Sequence, residues 1–199
     1  MITLLDKLGE VEKPACDIFG CTVVNTLSCL GKCGKDRSLR EHYNHFSINI
    51  DSSTNVQSSL ANYFKPTEDI LHSTCETCGH GESRQSIRCG KWPSVLLLQL
   101  NRFSYDCNGN LANKDCSNMF VPFILETGRR SKDPRKYKLS GMIEHFGKGI
   151  SSGHYTAKVR RKDTWFNCND SLIDEIHNID RSSGFYSVGA YILIYNLED

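Results

Sequence analysis

Two pairs of closely spaced cysteines, Cys29 and Cys33 in SCLGKCGKD and Cys75 and Cys78 in STCETCGHG, bracket a segment that is hard to fold by burial alone. Between them the chain is rich in Asn, Ser and His, with one alternating piece, HYNHFSINI, and one helical turn, VQSSLANYF. Such a segment has too little apolar surface to offset its own ordering entropy. Cys75 and Cys78 stand two residues apart with Gly79 following, the spacing by which one tight turn presents two sulfurs to one ion. The first pair also ends in a glycine but has three residues between its thiols. Together the four sulfurs are expected to form a tetrahedral site for structural Zn2+, with His72 and His80 as alternative ligands beside the second pair. Zinc affinities in small peptides correspond to about 10–16 kcal/mol, enough to dominate the stability of this stretch. Cys16, Cys21, Cys89, Cys107, Cys116 and Cys168 show no ligand spacing and read as packing residues.

The opening segment, MITLLDKLGEVEKP, lacks the cationic start, long apolar run and small-residue cleavage site of a secretory signal. Ten cysteines are then expected to serve as reduced thiols in an intracellular protein, cytoplasmic or nuclear. A disulfide framework would require a signal sequence further upstream. ITLLDKLGEV has helical apolar spacing and no capping residue before it, so the chain is expected to start inside an element.

Beyond Cys78 the runs SVLLLQLNRFSY, MFVPFILE, KYKLSGMIEHF, GHYTAKVR, TWFNC and GAYILIYNL are strand-like, separated by Gly, Asn, Asp, Ser and Lys. Short connections favour antiparallel pairing. VLLLQL and AYILIYN are almost continuously apolar and are expected at the sheet centre. TGRRSKDPRKY reads as a solvated loop. At 199 residues the chain fits one α+β domain with room for a subdomain. A net charge of +1 gives no global field for nucleic acid or an anionic membrane, and no apolar run approaches a bilayer span. The absence of a recognition-helix pattern after the second cysteine pair argues further against a nucleic-acid module. The chain is expected to act as a monomer.

The segment SSGHYTAKVRRKDTWFNCND, Ser151 to Asp170, reads as a hairpin. With Lys162 and Asp163 as the loop, Arg160 faces Trp165 and Thr156 faces Asn169, which places His154 and Asn169 as diagonal neighbours on one face. A slip of one residue would instead bring Asp170 opposite His154. In either register an oxygen acceptor can orient the imidazole, giving two members of a nucleophile, base and orienter set. Just before it, FGKGISSG carries Gly147, Gly149 and Gly153, a backbone of little bulk that lets another chain pass closely. It lacks the Gly-Lys-Ser/Thr ending of a phosphate loop.

In their order along the chain, IFGCTVVNTLSCLGKCG, CETCGH, WPSVLLLQLNRF, YKLSGMIEHFGKGISSGHYTA, WFNCNDSLIDEI and GAYILIYNL resemble the ubiquitin-specific proteases, papain-like cysteine peptidases. The resemblance covers nearly the whole chain. It implies an α+β papain-like fold with a mainly antiparallel palm, at residues 91–199, and zinc-tipped fingers, at about 20–90. It further implies that His154 is the general base, that Asn169 orients it with Asp170 as a second candidate, and that Cys29, Cys33, Cys75 and Cys78 bind zinc. The implied partners are ubiquitin and ubiquitinated proteins. The implied reaction is thiolate attack on the carbonyl of ubiquitin's last glycine, followed by hydrolysis of the acyl-enzyme.

Two features depart from the family pattern. The Gly-x-x-Asn-x-x-x-Cys box that carries the family's nucleophile is absent, because VVNTLSC already aligns with the first cysteine knuckle. The chain is therefore expected to be fingers and palm without the N-terminal thumb, and inactive by itself. The alternative is a catalytically inactive relative that still holds ubiquitin or serves as a scaffold. The second departure is the three-residue spacing of Cys29 and Cys33 where the family has two.

Overall fold

The computed structural model describes residues 18–50, 54–66, 69–109, 111–127, 134–147, 149, 152–177, 179 and 183–198. The expected N-terminal helix, Cys16 and residues 128–133 of the expected loop lie outside these residues. In chain order the elements are β1 (Cys21–Cys29), β2 (Asp36–Tyr43), β3 (Phe46–Asn49), α1 (Val56–Tyr63), β4 (Ile70–His72), β5 (Glu82–Lys91), β6 (Val95–Asn101), β7 (Phe103–Tyr105) and β8 (Leu111–Lys114). They continue with β9 (Met119–Pro122), β10 (Ile124–Thr127), β11 (Arg135–Phe146), β12 (His154–Arg161), β13 (Thr164–Asn169), β14 (Leu172–Glu175), β15 (Gly184–Ser187) and β16 (Ala190–Leu197). No helix among the described residues is long and apolar enough to cross a membrane.

The chain divides into two compact units, residues 1–44 with 62–93, and residues 45–61 with 94–199. In the first, four antiparallel strands lie in the order β2-β1-β5-β4. Its apolar content is thin. Cys21, Val23 and Val24 are buried on β1, whereas every residue of β2 except Glu41 is exposed or nearly so, without the alternation that would mark a core-facing strand. Cross-strand polar pairs take its place, such as Thr26 Oγ1 with Ser38 Oγ at 2.8 Å and Gln85 Nε2 donating to Asn25 Oδ1 at 3.0 Å.

The second unit is built on a sheet of order β14-β13-β12-β11-β16-β6-β3, with β10 also pairing β11. All pairs are antiparallel except β3 with β6, which run parallel. The apolar run of β6 lies between β16 and β3 with Leu96, Leu97, Leu98 and Leu100 all buried, as a strand covered on both faces requires. β16 is interior too, but alternates, burying Leu193 and Tyr195. Tyr195 keeps its hydroxyl satisfied by donating to Pro122 O at 2.9 Å. Phe123, Trp165 and Phe185 close one side, with ring centroids 5.0–5.6 Å apart. Asn55 caps α1 by accepting from Gln57 N at 2.8 Å, and the Gln57 amide grips both backbone groups of Glu126.

Arg102 separates β6 from β7 and is 1% exposed. Among the described residues no carboxylate pairs with it in a salt bridge. Its guanidinium donates instead to four carbonyls, Ala190 O at 2.6 Å, Asp115 O at 2.9 Å, Ser117 O at 3.0 Å and Ser187 O at 3.2 Å. The planar fork of donors suits this task, tying two loops to one strand end.

Candidate functional site

β12 and β13 form a hairpin around the two-residue loop Lys162-Asp163, with Arg161 facing Thr164, Arg160 facing Trp165 and Ala157 facing Cys168. Lys162 takes φ 55°, the left-handed conformation that reverses the chain in so short a loop. This is the first of the two registers expected from the sequence. It sets His154 and Asn169 diagonally on one face, and His154 Nε2 is hydrogen-bonded to Asn169 Oδ1. An amide oxygen only accepts, so Nε2 carries the proton and donates, leaving Nδ1 as the ring's free basic nitrogen. Asp170 is the first residue of the turn into β14, with φ 51°, and it is Asn169 that engages the imidazole. Cys168, one position before Asn169, points to the other face of the sheet by the strand's twofold alternation.

Behind the histidine lies a set of residues to which the sequence assigned no role. Phe146 pairs with His154 and His145 with Tyr155 across β11 and β12. The His145 ring is 1% exposed and packs among Tyr155, Phe103 and Tyr191, at centroid distances of 4.7, 5.7 and 6.5 Å. Lys114 Nζ donates to His145 Nδ1 at 3.0 Å, to His145 O at 2.9 Å and to Gly147 O at 2.7 Å. Burial, then the Lys114 charge, hold the His145 imidazole below its ordinary pKa. Because Nδ1 accepts from the Lys114 ammonium, the ring's proton sits on Nε2, a buried atom with no hydrogen-bond partner among the described residues. Gly153 lies directly over it. A Cβ there would strike the His145 ring and come within 2.6 Å of Phe146 O, so only glycine fits immediately before His154.

Further along β11, the buried carboxylate of Glu144 pairs with Lys158 and accepts from Ser187 Oγ at 2.5 Å. The same hydroxyl accepts from Gly189 N at 3.1 Å and Ala190 N at 2.8 Å, so the turn into β16 is fixed to the strand that carries His145. Of the glycine-bearing loop, Gly147, Gly149, Ser152 and Gly153 are described, and its remaining residues lie outside the description.

In the first unit the four expected ligands do meet. The sulfurs of Cys29, Cys33, Cys75 and Cys78 all lie within 4.8 Å of one another, and no histidine joins them. Cys29 Sγ is 3.6 Å from Cys78 Sγ and Cys33 Sγ is 3.7 Å from Cys75 Sγ. A tetrahedral ion with bonds of about 2.3 Å to sulfur has edges of about 3.8 Å, close to these two separations, so the cluster is of the size that holds one metal ion. The extra residue of the first knuckle is absorbed by its turn, where Gly34 has φ 56° and its N–H donates to Gly31 O at 3.2 Å. In the second knuckle Gly79, with φ 71°, donates to Cys75 O at 2.8 Å. The Cys75 thiol is pulled down to about 6, chiefly by the N–H groups of Cys78 and Thr77. Cys29 receives the Gly31 N–H, yet burial and the three neighbouring sulfurs push it up to about 12. Four thiolates so close repel one another unless a cation sits between them.

The family model described as ubiquitin carboxyl-terminal hydrolase matches residues 4–195, and the chain belongs to this family. Among curated relatives it is 29% identical over 187 residues to ubiquitin carboxyl-terminal hydrolase 25 of Arabidopsis thaliana, covering 90% of this chain and 27% of the relative. It is 29% identical to ubiquitin carboxyl-terminal hydrolase 13 of Saccharomyces cerevisiae, covering 80% of this chain and 22% of that one. With ubiquitin carboxyl-terminal hydrolase 12 of Salmo salar it shares 27% identity over 92% of this chain and 53% of the relative. The chain thus spans about a quarter to a half of the relatives it matches. Among solved structures, the SAGA DUB module Ubp8/Sgf11/Sus1/Sgf73 bound to monoubiquitin superposes with a TM-score of 0.77 at 24% identity, covering 92% of this chain and 41% of that one. A yeast SAGA DUB module with altered Sgf73 gives 0.78 at 23% identity, with 92% and 42% covered. The fold is the α+β papain-like fold of the ubiquitin-specific proteases, mainly antiparallel as expected.

Proposed function

We propose that this chain supplies the base half of a cysteine-type deubiquitinase that hydrolyses the bond after the C-terminal glycine of ubiquitin. The observation that carries the reading is the hydrogen bond from His154 Nε2 to Asn169 Oδ1, which leaves Nδ1 free to take a proton from a thiol. In this reading His154 is the general base, Asn169 holds it in the productive tautomer, and Asp170 serves no direct role. The imidazole accepts the thiol proton as sulfur attacks the glycine carbonyl, and returns it to the leaving amine. Water then releases the acyl-enzyme with His154 again acting as base. Cys168 faces away from the imidazole and in this reading is not the nucleophile; that role falls to a Gly-x-x-Asn-x-x-x-Cys box, which these 199 residues do not contain, and the 199 residues by themselves are inactive.

In the same reading Cys29, Cys33, Cys75 and Cys78 hold one Zn2+, which fixes the four-stranded unit as fingers, while the larger unit is the palm. Ubiquitin is the partner, met by a monomer inside the cell, where thiols stay reduced. The test is reaction with ubiquitin bearing a C-terminal electrophile. The chain extended upstream through an Asn-x-x-x-Cys box is expected to be labelled at that cysteine, and the 199-residue chain to stay unlabelled. Labelling of the short chain at one of its own cysteines overturns the assignment of the nucleophile. Failure of the extended chain to react while still binding ubiquitin supports an inactive binding module instead.

A further inference from the structure

Lys114 is not part of any motif, yet its ammonium makes three contacts at the end of β11, with His145 Nδ1, His145 O and Gly147 O. Across the ladder from this strand end stand Tyr155 and His154. The side chain of His145 fills the space beneath Gly153, and its ring lies against Tyr155, the residues on either side of His154. A lysine partly removed from water loses hydration that only well-aimed acceptors can replace. Burial lowers the Lys114 pKa, and the three acceptors stand in for the water it has lost. The cation also lies 5.8 Å from the centre of the Phe103 ring, one wall of the His145 cage.

We propose that Lys114 and His145 are positioning residues for His154. Lys114 locks the end of β11, and the neutral His145 ring forms a rigid floor under Gly153 and Tyr155, so that the His154 backbone enters β12 at one fixed angle. His154 itself is exposed, and among the described residues its ring's hydrogen bond is the one to Asn169. A base held within a few tenths of an ångström needs such support behind it. This inference rests on the reading of His154 as the base, but its test does not require turnover.

The test reads the order parameter of the His154 ring by NMR relaxation in the 199-residue chain, with His177 as an internal control. The parent is expected to show a rigid ring, near about 0.85, and Lys114→Met a mobile one, below about 0.6, while backbone amides of β13 and β16 keep their shifts. Lys114→Arg, which retains a cation with several donors, restores rigidity, and His145→Ala loosens the His154 ring as Lys114→Met does. Should Lys114→Met prevent folding, Lys114→Gln, with a neutral donor of shorter reach, is read the same way. An unchanged His154 ring in a folded Lys114 variant and in His145→Ala overturns the proposal. Loss of electrophile labelling in the extended chain, with His154 still rigid and dependent on Lys114, would count against the deubiquitinase reading alone.

Discussion

Gly31 and His80 touch where the two cysteine knuckles face each other. A Cβ on Gly31 would lie 2.7 Å from His80 Cβ and 2.8 Å from His80 Cγ, with Cys78 Sγ at 3.3 Å. These are atoms at the root of the His80 side chain, which cannot swing aside. The glycine between Cys29 and Cys33 therefore lets the two turns close on one point despite the longer spacing. Gly31→Ala is expected to weaken metal affinity about tenfold to a hundredfold, the usual cost of disturbing groups that support metal ligands, as measured by competition with a chromophoric chelator. Unchanged affinity would show that the knuckles move freely.

Metal content follows from the same cluster. One equivalent of zinc per chain is expected by elemental analysis, lost with Cys33→Ser or Cys75→Ser. Removal by a chelator should expose four thiols to a thiol reagent and lower the thermal midpoint of the four-stranded unit, whose apolar core is too thin to fold well without it. A metal-free preparation with that unit intact would defeat the claim.

Asn169→Ala in the extended enzyme should reduce kcat by about ten- to a hundredfold, the value of one hydrogen bond of about 1.5–3 kcal/mol to a group that becomes charged in the reaction. His154→Ala should cost about 10²–10⁴, the usual contribution of a general base. Asp170→Ala should leave kcat within about twofold, since the imidazole's partner is Asn169. A large effect of Asp170→Ala with a small one of Asn169→Ala would reverse the assignment.

Much of this was legible in the sequence, for identifiable reasons. The hairpin was legible from its charged turn, but the sequence left two registers open, and the one formed is that with Lys162 and Asp163 as a two-residue loop. The apolar runs of β6 and β16 reported interior strands. In contrast, β2 and β5 carry no apolar alternation, since their sheet buries little on either face, and periodicity therefore gave no sign of them. The parallel pairing of β3 with β6 joins segments 52 residues apart, beyond the reach of local pattern. Lys114 and His145 were likewise silent. A lone lysine after a turn and a lone histidine in an apolar strand look ordinary until the fold places them in contact.

Arg102→Leu should destabilise the larger unit by more than about 4 kcal/mol in urea unfolding. The substitution strands several carbonyls of the 115–117 and 187–190 loops, each costing about 1–3 kcal/mol if unpaired. Arg102→Lys should recover only part, because an ammonium cannot span all four acceptors. A loss below about 1 kcal/mol would mean that water replaces the guanidinium at these carbonyls.

Acid should weaken the fold through His145, whose neutral ring the fold favours. Its imidazole titrates near about 6.5 when unfolded and lower when folded, so below that pH the unfolded chain binds more protons. Its contribution is complete above about pH 6.5 and declines as pH falls through the folded value. The urea midpoint should drop as pH falls below about 6.5, and His145→Gln should flatten that slope. Equal slopes in parent and variant would remove His145 as the cause.

The interruption of the first unit by residues 45–61 bears on how the polypeptide matures at the ribosome. Cys33 emerges 42 residues before Cys75, its partner in the cluster. At about 5–20 residues per second, the early pair waits several seconds with only two thiols to offer an ion. During that interval β3 has also been made, while β6, the strand it joins in parallel, does not yet exist. The first unit can close once the nascent chain has passed Lys91, whereas the second must wait for β16 at Ala190–Leu197, so the smaller unit has all its strands while the larger is still being made.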